Sequence, residues 1–227
     1  MKILLSWSSG TDSAWMLHVL RSQSAPVAGL LTTVNEAADR VAMHGVRTSI
    51  LRAQAAAATL PLTVIPLPDP CSNDAYEERM TVAVRDAVAA GFTHVAFGDL
   101  FLEDVRRYRE ARLAGSGLQP LFPLWGLDTR ALAGEILRSG VDARITSLDQ
   151  RVLATEFAGR RYDAELLAAL PPGVDPCGER GEFHTCVLAG PMFASRIDAE
   201  LGEIVTRGDF VFADLKMCDG VRQRIQP

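Results

Sequence analysis

Residues 8–13 read S-S-G-T-D-S and combine hydroxyl side chains, a glycine and one carboxylate. An apolar run, Ile3-Leu4-Leu5, precedes them and an apolar helical pattern follows, so the sequence predicts strand, tight loop and helix. The first backbone N–H groups of such a helix lack partners and, with the helix dipole, attract an anion such as phosphate. The alternative is an ordinary N-cap on a βα turn. The candidate phosphate-binding residues are Ser8, Ser9, Gly10, Thr11, Asp12 and Ser13.

A second polar stretch begins with Gly98 and Asp99, at the end of an apolar run of strand length. In an α/β sheet, a carboxylate at the carboxyl end of a strand faces the ligand crevice, where it can bind Mg²⁺ or a hydroxyl group. Arg106, Arg109 and Glu110 follow at helical spacing and therefore share one face of the next predicted helix. They could act in the crevice, or they could belong to an ion-paired, solvated helix surface.

The elements that must position these residues alternate along the first half of the chain. Apolar runs at 27–33, 62–67 and 93–99 predict buried strands, and a helical pattern covers 74–90 with Asn73 as its expected cap. This alternation predicts a doubly wound, mostly parallel α/β sheet with right-handed crossovers. The end of strand 27–33 should then lie beside the phosphate loop and contact a nucleotide base. The predicted nucleotide-binding set is completed by Thr32, Gly98 and His44, the last of which could also be a surface histidine.

The pattern changes near Leu148. We assign the apolar run at 141–147 to the last strand of the nucleotide-binding half. Beyond it the sequence predicts a short helix over 163–170 and two antiparallel strands, 203–206 and 210–215, joined by a short connection that contains glycine. We therefore expect a nucleotide-binding domain over residues 1–148 and a smaller α+β domain over residues 149–227 that covers the crevice.

Composition limits the class of protein. The chain has 227 residues, of which 48% are hydrophobic and 22% charged, as is ordinary for one globular α/β domain with a small appendage. Its formal net charge of -5 argues against a broad nucleic-acid surface. Since no apolar run has the length of a membrane span and the N-terminus does not resemble a signal peptide, we expect no membrane partner and a cytoplasmic location.

The four cysteines are widely spaced and include no C-x-x-C pair. In a reducing compartment this spacing predicts free thiols rather than a disulfide framework. The alternative is a zinc site, which would combine Cys177, Cys186 and Cys218 with His184. That spacing matches no common zinc finger, so we favour free thiols.

The S-S-G-T-D-S loop resembles the S-G-G-x-D-S loop of the PP-loop ATP pyrophosphatases, the adenine nucleotide alpha-hydrolase superfamily. These enzymes cleave ATP between the α and β phosphates. Ser9 stands where that pattern has its first glycine. The loop contains neither the lysine of the G-x-x-x-x-G-K-[ST] motif nor the G-x-G-x-x-G spacing of dinucleotide folds. The resemblance therefore implies ATP as the bound nucleotide.

Three further segments resemble one branch of that superfamily, the diphthine-ammonia ligase family. Residues 98–109, G-D-L-F-L-E-D-V-R-R-Y-R, are similar to its G-D-x-x-x-x-x-x-R-x-x-R segment, and L-F-P-L-W at 121–125 is similar to its L-x-P-L-W element. Residues 178–185, G-E-R-G-E-F-H-T, look like its G-E-G-G-E-F-E-T element. Arg180 and His184 stand where the family has glycine and glutamate, which leaves the acceptor open.

The resemblance implies an ATP-dependent ligase that adenylates a carboxylate, releases pyrophosphate and passes the acyl group to ammonia or an amine. It implies Mg²⁺ on Asp12 and Asp99. Glu182 and His184 would bind or deprotonate the amine, whereas in the alternative Glu179 and Glu182 only shape a glycine-rich turn. The predicted catalytic residues are Asp99, Arg106, Arg109, Glu110, Glu179, Glu182 and His184.

The expected partners are a small-molecule or protein carboxylate and ammonia or an amine, and a homo-oligomer is left open. Two other functions compete with the ligase. One is a PP-loop enzyme of the thiolation or tRNA-modifying type, in which Cys71 or Cys177 would carry sulfur. The other is a non-catalytic adenine-nucleotide-binding protein, which would release no AMP.

Overall fold

The computed structural model describes residues 1–218, which form two β-sheets. Five strands of sheet A are parallel and lie in the order β4-β2-β1-β5-β6, and β3 pairs antiparallel with the end of β2. The strand order reverses between β1 and β5, which is where ligands of open α/β sheets bind. The strands are β1 (Ile3–Ser6), β2 (Val27–Asn35), β3 (Arg40–Val41), β4 (Leu62–Leu67), β5 (His94–Ala96) and β6 (Gln119–Leu121).

Helices cover both faces of sheet A, and the predicted doubly wound α/β class is confirmed. Apolar side chains of α1, α2 and α5 belong to one core, while those of α3 and α4 pack into a second core on the opposite face. The helices are α1 (Thr11–Ser22), α2 (Thr48–Ala57), α3 (Asn73–Ala89), α4 (Glu103–Leu113) and α5 (Thr129–Arg138).

The cap predicted for α3 is wrong by one residue. Ser72 precedes the helix in an extended conformation, and its hydroxyl accepts the backbone N–H of Ala75. Asn73 is the first helical residue instead. Serine and asparagine are about equally good N-caps, so residue type alone could not distinguish the two neighbours.

Sheet B is antiparallel throughout, in the order β8-β7-β10-β9. Its strands are β7 (Asp142–Asp149), β8 (Phe183–Ala189), β9 (Ala199–Arg207) and β10 (Phe210–Met217). A 3-10 turn (Thr155–Phe157) and helix α6 (Ala164–Ala169) lie between β7 and β8. The predicted hairpin over the last two strands is confirmed.

The assignment of residues 141–147 to the nucleotide-binding half is wrong, because β7 pairs with β8 and β10 and not with sheet A. Seven of its eight residues are buried, so its apolar run looks like that of a parallel strand covered on both faces. The change of sheet therefore comes between β6 and β7. The division into domains 1–148 and 149–227 stays a prediction.

The two sheets share helices. Helix α1 lies against β8 and α2 against β10, and one apolar core runs from sheet A through these helices to sheet B. This packing places β8 next to the N-terminus of α1. None of the helices within residues 1–218 is both long and apolar enough to cross a lipid bilayer.

Candidate functional site

The loop between β1 and α1 is hydrogen-bonded to two other elements, α2 and β8. The carbonyl oxygen of Ser9 accepts hydrogen bonds from Gln54 Nε2 at 3.0 Å and from the backbone N–H of Val187 at 2.9 Å. Ser9 itself is buried and has a φ of +76°, the left-handed region that favours glycine. The serine therefore occupies a position where this backbone conformation suits glycine better.

The N-terminus of α1 is connected directly to β8. The N–H of Thr11 donates to Thr185 Oγ1 at 3.0 Å, and the two threonine hydroxyls lie 3.1 Å apart. Gly10 has no room for a side chain, because a Cβ there would lie 2.8 Å from His44 Cε1 and 3.2 Å from the carbonyl oxygen of Thr185. Thr11 thus turns toward sheet B, and Gly10 allows His44 to approach the loop.

Two cavities meet above this loop. The large cavity, of about 510 Å³, extends from Ser8 and Thr32 at the carboxyl ends of β1 and β2 to the apolar face of α3. The small cavity, of about 220 Å³, lies beside Asp12 and Asp99, which follow β1 and β5. We call the two together the cleft. The side chains that line both cavities are Ser6, Ser8, His44, Phe97, Arg109 and His184.

The cleft collects many, but not all, of the residues predicted from the sequence. Those that line it are Ser8, Asp12, Ser13, Thr32, His44, Gly98, Asp99, Arg109, Glu179 and His184. Those that line neither cavity are Ser9, Gly10, Thr11, Arg106, Glu110 and Glu182. The second group supports the cleft from behind or lies apart from it.

Asp12 is the most perturbed acid of the cleft. Burial raises the pKa of its carboxyl well above the usual value, and the carboxylates of Glu179, Asp175 and Asp99 raise it further. Its Oδ1 atom is buried and accepts no hydrogen bond from residues 1–218. An uncompensated carboxylate oxygen of this kind is suited to a cation.

Asp99 and Arg109 form an ion pair at the mouth of the small cavity. Arg109 Nη2 donates to Asp99 Oδ1 at 3.0 Å, and Arg109 Nε lies 2.6 Å from Asp99 Oδ2. The guanidinium also stacks on Phe97, with Cζ 4.3 Å from the ring centroid. The pair therefore fixes α4 against the end of β5, at the point where the two cavities meet.

Arg106 and Glu110 are not brought into the cleft, although they share α4 with Arg109. Arg106 Nε donates to Glu110 Oε1 at 2.8 Å, and its guanidinium lies over the rings of Phe122 and Trp125. The structure therefore shows an ion pair between residues four apart, packed on aromatic rings, which agrees with the structural alternative for this helix face.

The two glutamates within residues 178–185 differ in position, because Glu182, predicted to bind or deprotonate the amine, does not line either cavity of the cleft. Its buried carboxylate accepts the backbone N–H groups of Asp175 and Arg180, each at 3.0 Å. Glu179 lines the small cavity, but its Oε1 accepts the N–H groups of Leu100 and Phe101, at 2.8 and 3.3 Å. Burial raises the pKa of Glu179, and these backbone donors oppose that shift.

His44 and His184 stack on each other between the two cavities, with ring centroids 4.5 Å apart. His44 Nδ1 donates to the carbonyl oxygen of Thr185 at 3.1 Å, and His184 Nε2 is buried without a hydrogen-bond partner in residues 1–218. Burial lowers the pKa of His44 to about 4. Burial, together with His44, lowers the pKa of His184 to about 3. Both imidazoles are therefore neutral at pH 7. The alternative of a surface histidine does not describe His44, which lines both cavities.

Three residues that hold the site together were missed by the sequence analysis. Gln54 joins Trp7, Ser9 and the carbonyl oxygen of Val187 through its buried amide. Thr185 joins α1 and His44 to β8, and Asp175 accepts the backbone N–H groups of Cys177 and Glu179. Gln54 could have been found, because the helical period places it on the buried face of an alanine-rich helix.

The cysteines of residues 1–218 are free, as predicted. Within this part of the chain no group of three or more His, Cys, Asp or Glu side chains has the arrangement of a metal site, which does not support the zinc alternative. Cys177 lines the small cavity, but burial raises the pKa of its thiol strongly, with the carboxylates of Asp12 and Asp175 adding to the shift. It is therefore a poor thiolate nucleophile at neutral pH.

Comparison with known proteins gives a consistent result. Residues 128–220 match the family model described as Diphthamide synthase C-terminal domain. The chain is 34% identical over 118 residues to Diphthine--ammonia ligase of Danio rerio, covering 49% of this chain and 46% of that protein. It is 28% identical over 151 residues to the protein of the same name from Bos taurus, covering 62% and 53%. The chain thus spans about half the length of these relatives, and the resemblance stated from the motifs is confirmed.

A solved structure also aligns with most of the chain. It is described as the predicted subunit of a tRNA methyltransferase from Methanocaldococcus jannaschii. The alignment covers 84% of this chain and 98% of that one, at 15% identity and a TM-score of 0.45.

Proposed function

We propose that this chain, which is related to the diphthine-ammonia ligases, is an ATP-dependent ligase that adenylates a carboxylate and transfers the acyl group to ammonia or an amine. The observation that carries the proposal is Asp12. It stands at the N-terminus of α1 and at the switch point of a parallel sheet, with a buried oxygen that no residue of 1–218 satisfies. The names of the relatives supply the reaction class.

In this proposal ATP lies in the cleft with its base toward the large cavity and its phosphates toward the N-terminus of α1. Thr32, Ala42 and Met43 line the large cavity and would contact the base, while Ser8 and Ser13 would hold phosphate beside the helix N-terminus. The hydroxyls of Ser8 and Ser13 lie 3.2 Å apart at this end of the cleft. The α-phosphate would then lie where the two cavities meet, within reach of the second substrate.

The acids of the small cavity suit Mg²⁺. Asp12 has an oxygen without a partner in residues 1–218, and its pKa is raised first by burial and then by neighbouring carboxylates, whose negative charge a divalent cation would neutralise. Asp12 and Asp99 are the residues that would hold the ion. When bound, Mg²⁺ would neutralise phosphate charge. Independently of the ion, Arg109 offers positive charge to an incoming carboxylate.

The proposed reaction has two steps. In the first, a carboxylate oxygen attacks the α-phosphorus. The bond between the α-phosphorus and the oxygen that bridges it to the β-phosphorus breaks, and pyrophosphate leaves. In the second, the amine nitrogen attacks the acyl carbon, AMP leaves and one proton is released. His184 is suited to accept a hydrogen bond from the amine through Nε2, but a pKa of about 3 makes it a weak base. Its role is therefore to orient the amine.

The alternative of a nucleotide-binding protein without turnover has one observation in its favour. The carboxylate of Glu182 accepts hydrogen bonds from backbone N–H groups, so only Glu179 of the two glutamates lines the cleft. The thiolation alternative is weaker, because the thiol of Cys177 has a raised pKa.

The test is to follow nucleotide binding and cleavage separately. Calorimetry with Mg·ATP should show binding that Asp12→Asn weakens by about tenfold or more. Asp74→Asn removes an exposed first-turn carboxylate from α3 and is the matched control. Incubation with ammonium and a panel of carboxylates should then release AMP rather than ADP. Equal affinity of Asp12→Asn and the parent protein for Mg·ATP would contradict the proposal, and binding without AMP would favour the alternative.

A further inference from the structure

Helix α3 covers sheet A loosely. Of its 17 residues only Ala87 is buried, although Tyr76, Met80, Ala83 and Val84 pack partly against the second core. Well-packed helices of this length bury a continuous stripe, so the space beneath α3 is incompletely filled. The large cavity extends into this space, where Val84 and Leu113 are among its apolar lining residues.

A third cavity, of about 170 Å³, continues the large one between α3 and α4. At its outer end Arg112 of α4 forms an ion pair with Glu77 of α3. Both side chains of this pair are partly exposed, at 53% and 37%. The apolar space thus runs from the cleft to the surface between the two helices. Side chains common to both cavities are Tyr76, Met80, Val84, Phe97, Arg109 and Leu113.

Arg109 is the only charged residue among those shared side chains. It also lines the small cavity, so it stands at the junction of all three. Its Nη2 donates to Asp99 Oδ1, and its Nε lies 2.6 Å from Asp99 Oδ2 but is buried without a hydrogen-bond partner in residues 1–218. A guanidinium at the polar end of an apolar space is the arrangement expected for an apolar molecule with a carboxylate at one end.

We propose that the carboxylate substrate has an apolar body that lies beneath α3, with its carboxylate at Arg109. This inference rests on the proposed function for the reaction but not for the binding. The carboxylate would then stand beside the small cavity, at the place assigned to the α-phosphate. The nucleotide would use the polar end of the large cavity, near Ser8 and Thr32, and the substrate its apolar depth.

Binding is tested without turnover, using 4-phenylbutyrate as the probe in calorimetry. It should bind at least about tenfold more tightly than acetate, which lacks the apolar body, or 4-phenylbutyramide, which lacks the charge. The affinity should be the same in the presence of Mg²⁺ and α,β-methylene-ATP. If the nucleotide displaces the probe, or if all three compounds bind equally, the inference is wrong.

Val84→Trp should fill the space beneath α3 and weaken 4-phenylbutyrate at least about tenfold, while binding of α,β-methylene-ATP is unchanged. Val82→Trp is the matched control, since Val82 lies on the same helix but lines neither the large nor the third cavity. Equal affinity of Val84→Trp and Val82→Trp for the probe would overturn the site. Should Val84→Trp not fold, the three-compound comparison on the parent protein still decides. Loss of nucleotide binding with intact probe binding would count against the proposed function alone.

Discussion

Two short segments of this molecule combine carboxylate side chains with glycine, and the carboxylates have opposite hydrogen-bonding environments. In the loop at residues 175–182, Asp175, Glu179 and Glu182 all accept backbone N–H groups. In the loop at residues 8–13, Asp12 leaves a buried oxygen without a partner. Buried polar groups are normally satisfied, so a carboxylate that lacks a partner is the better candidate for contact with a ligand. Both stretches place a carboxylate one or two residues after a glycine, whereas hydrogen bonding distinguishes Asp12 from Glu179 and Glu182.

The same difference predicts opposite effects on stability. Glu182→Ala removes the acceptor of one buried and one partly buried N–H group and should lower the free energy of unfolding by about 3 kcal/mol. Asp12→Asn removes a carboxylate whose raised pKa shows that its charged form is disfavoured in the folded protein, so it should raise the free energy of unfolding at pH 7. Urea unfolding at pH 7 measures both changes.

A control variant and a change of pH test whether Asp12→Asn and Glu182→Ala have opposite effects on stability. Glu203→Ala replaces an exposed glutamate of β9 and should change stability by less than about 0.5 kcal/mol. The benefit of Asp12→Asn should shrink on acidification, because the folded protein then carries a protonated Asp12 at no cost. If Asp12→Asn destabilises the protein as much as Glu182→Ala does, Asp12 has a structural role like that of the other acids.

Acidification should lower the free energy of unfolding through the two stacked histidines, His44 and His184. Folding lowers their pKa values from about 6.5 to about 4 and about 3, so below pH 6.5 the unfolded chain binds more protons than the folded one. Their contribution is complete above pH 6.5 and is lost as the pH falls toward 3. We expect about 2 kcal/mol of lost stability for each histidine between pH 7 and pH 5.

Unfolding in urea at the two pH values checks this, with His44→Gln and His184→Gln as the variants. Each variant should remove part of the pH dependence of the parent protein. An unchanged pH dependence in both variants would mean that other groups are responsible and that the imidazoles are better hydrated than their burial indicates.

Much of the fold and part of the site could be predicted from the sequence. Periodicity and turn residues predicted β1, β2, β4 and β5 of sheet A but not the short β3, and loop chemistry pointed to Asp12 and Asp99, which line the small cavity. The sequence of residues 142–149 could not show which sheet they join, because a strand that is buried on both faces has the same apolar run in a parallel and in an antiparallel sheet. The direction of Glu182 is set by N–H groups of a loop whose conformation depends on tertiary contacts. Gln54 and Thr185 act through residues more than 40 positions away.

The smallest expected effect concerns Ser9. Its backbone conformation and its buried hydroxyl each lower the free energy of unfolding, and two variants separate these contributions. A left-handed conformation costs a residue with a side chain roughly 1 kcal/mol or more, and the buried Ser9 Oγ has no partner within residues 1–218. Glycine would relieve both, but it increases the freedom of the unfolded chain by up to about 1 kcal/mol. Ser9→Gly should therefore raise the free energy of unfolding by less than about 1 kcal/mol, measured by urea unfolding at pH 7. Ser9→Ala keeps the backbone cost and removes only the hydroxyl, so a gain in Ser9→Ala equal to that in Ser9→Gly would assign the cost to the unsatisfied hydroxyl. A loss of stability in both variants would mean that Ser9 Oγ has a partner in solution, and the loop would then resemble the well-satisfied loop at residues 175–182.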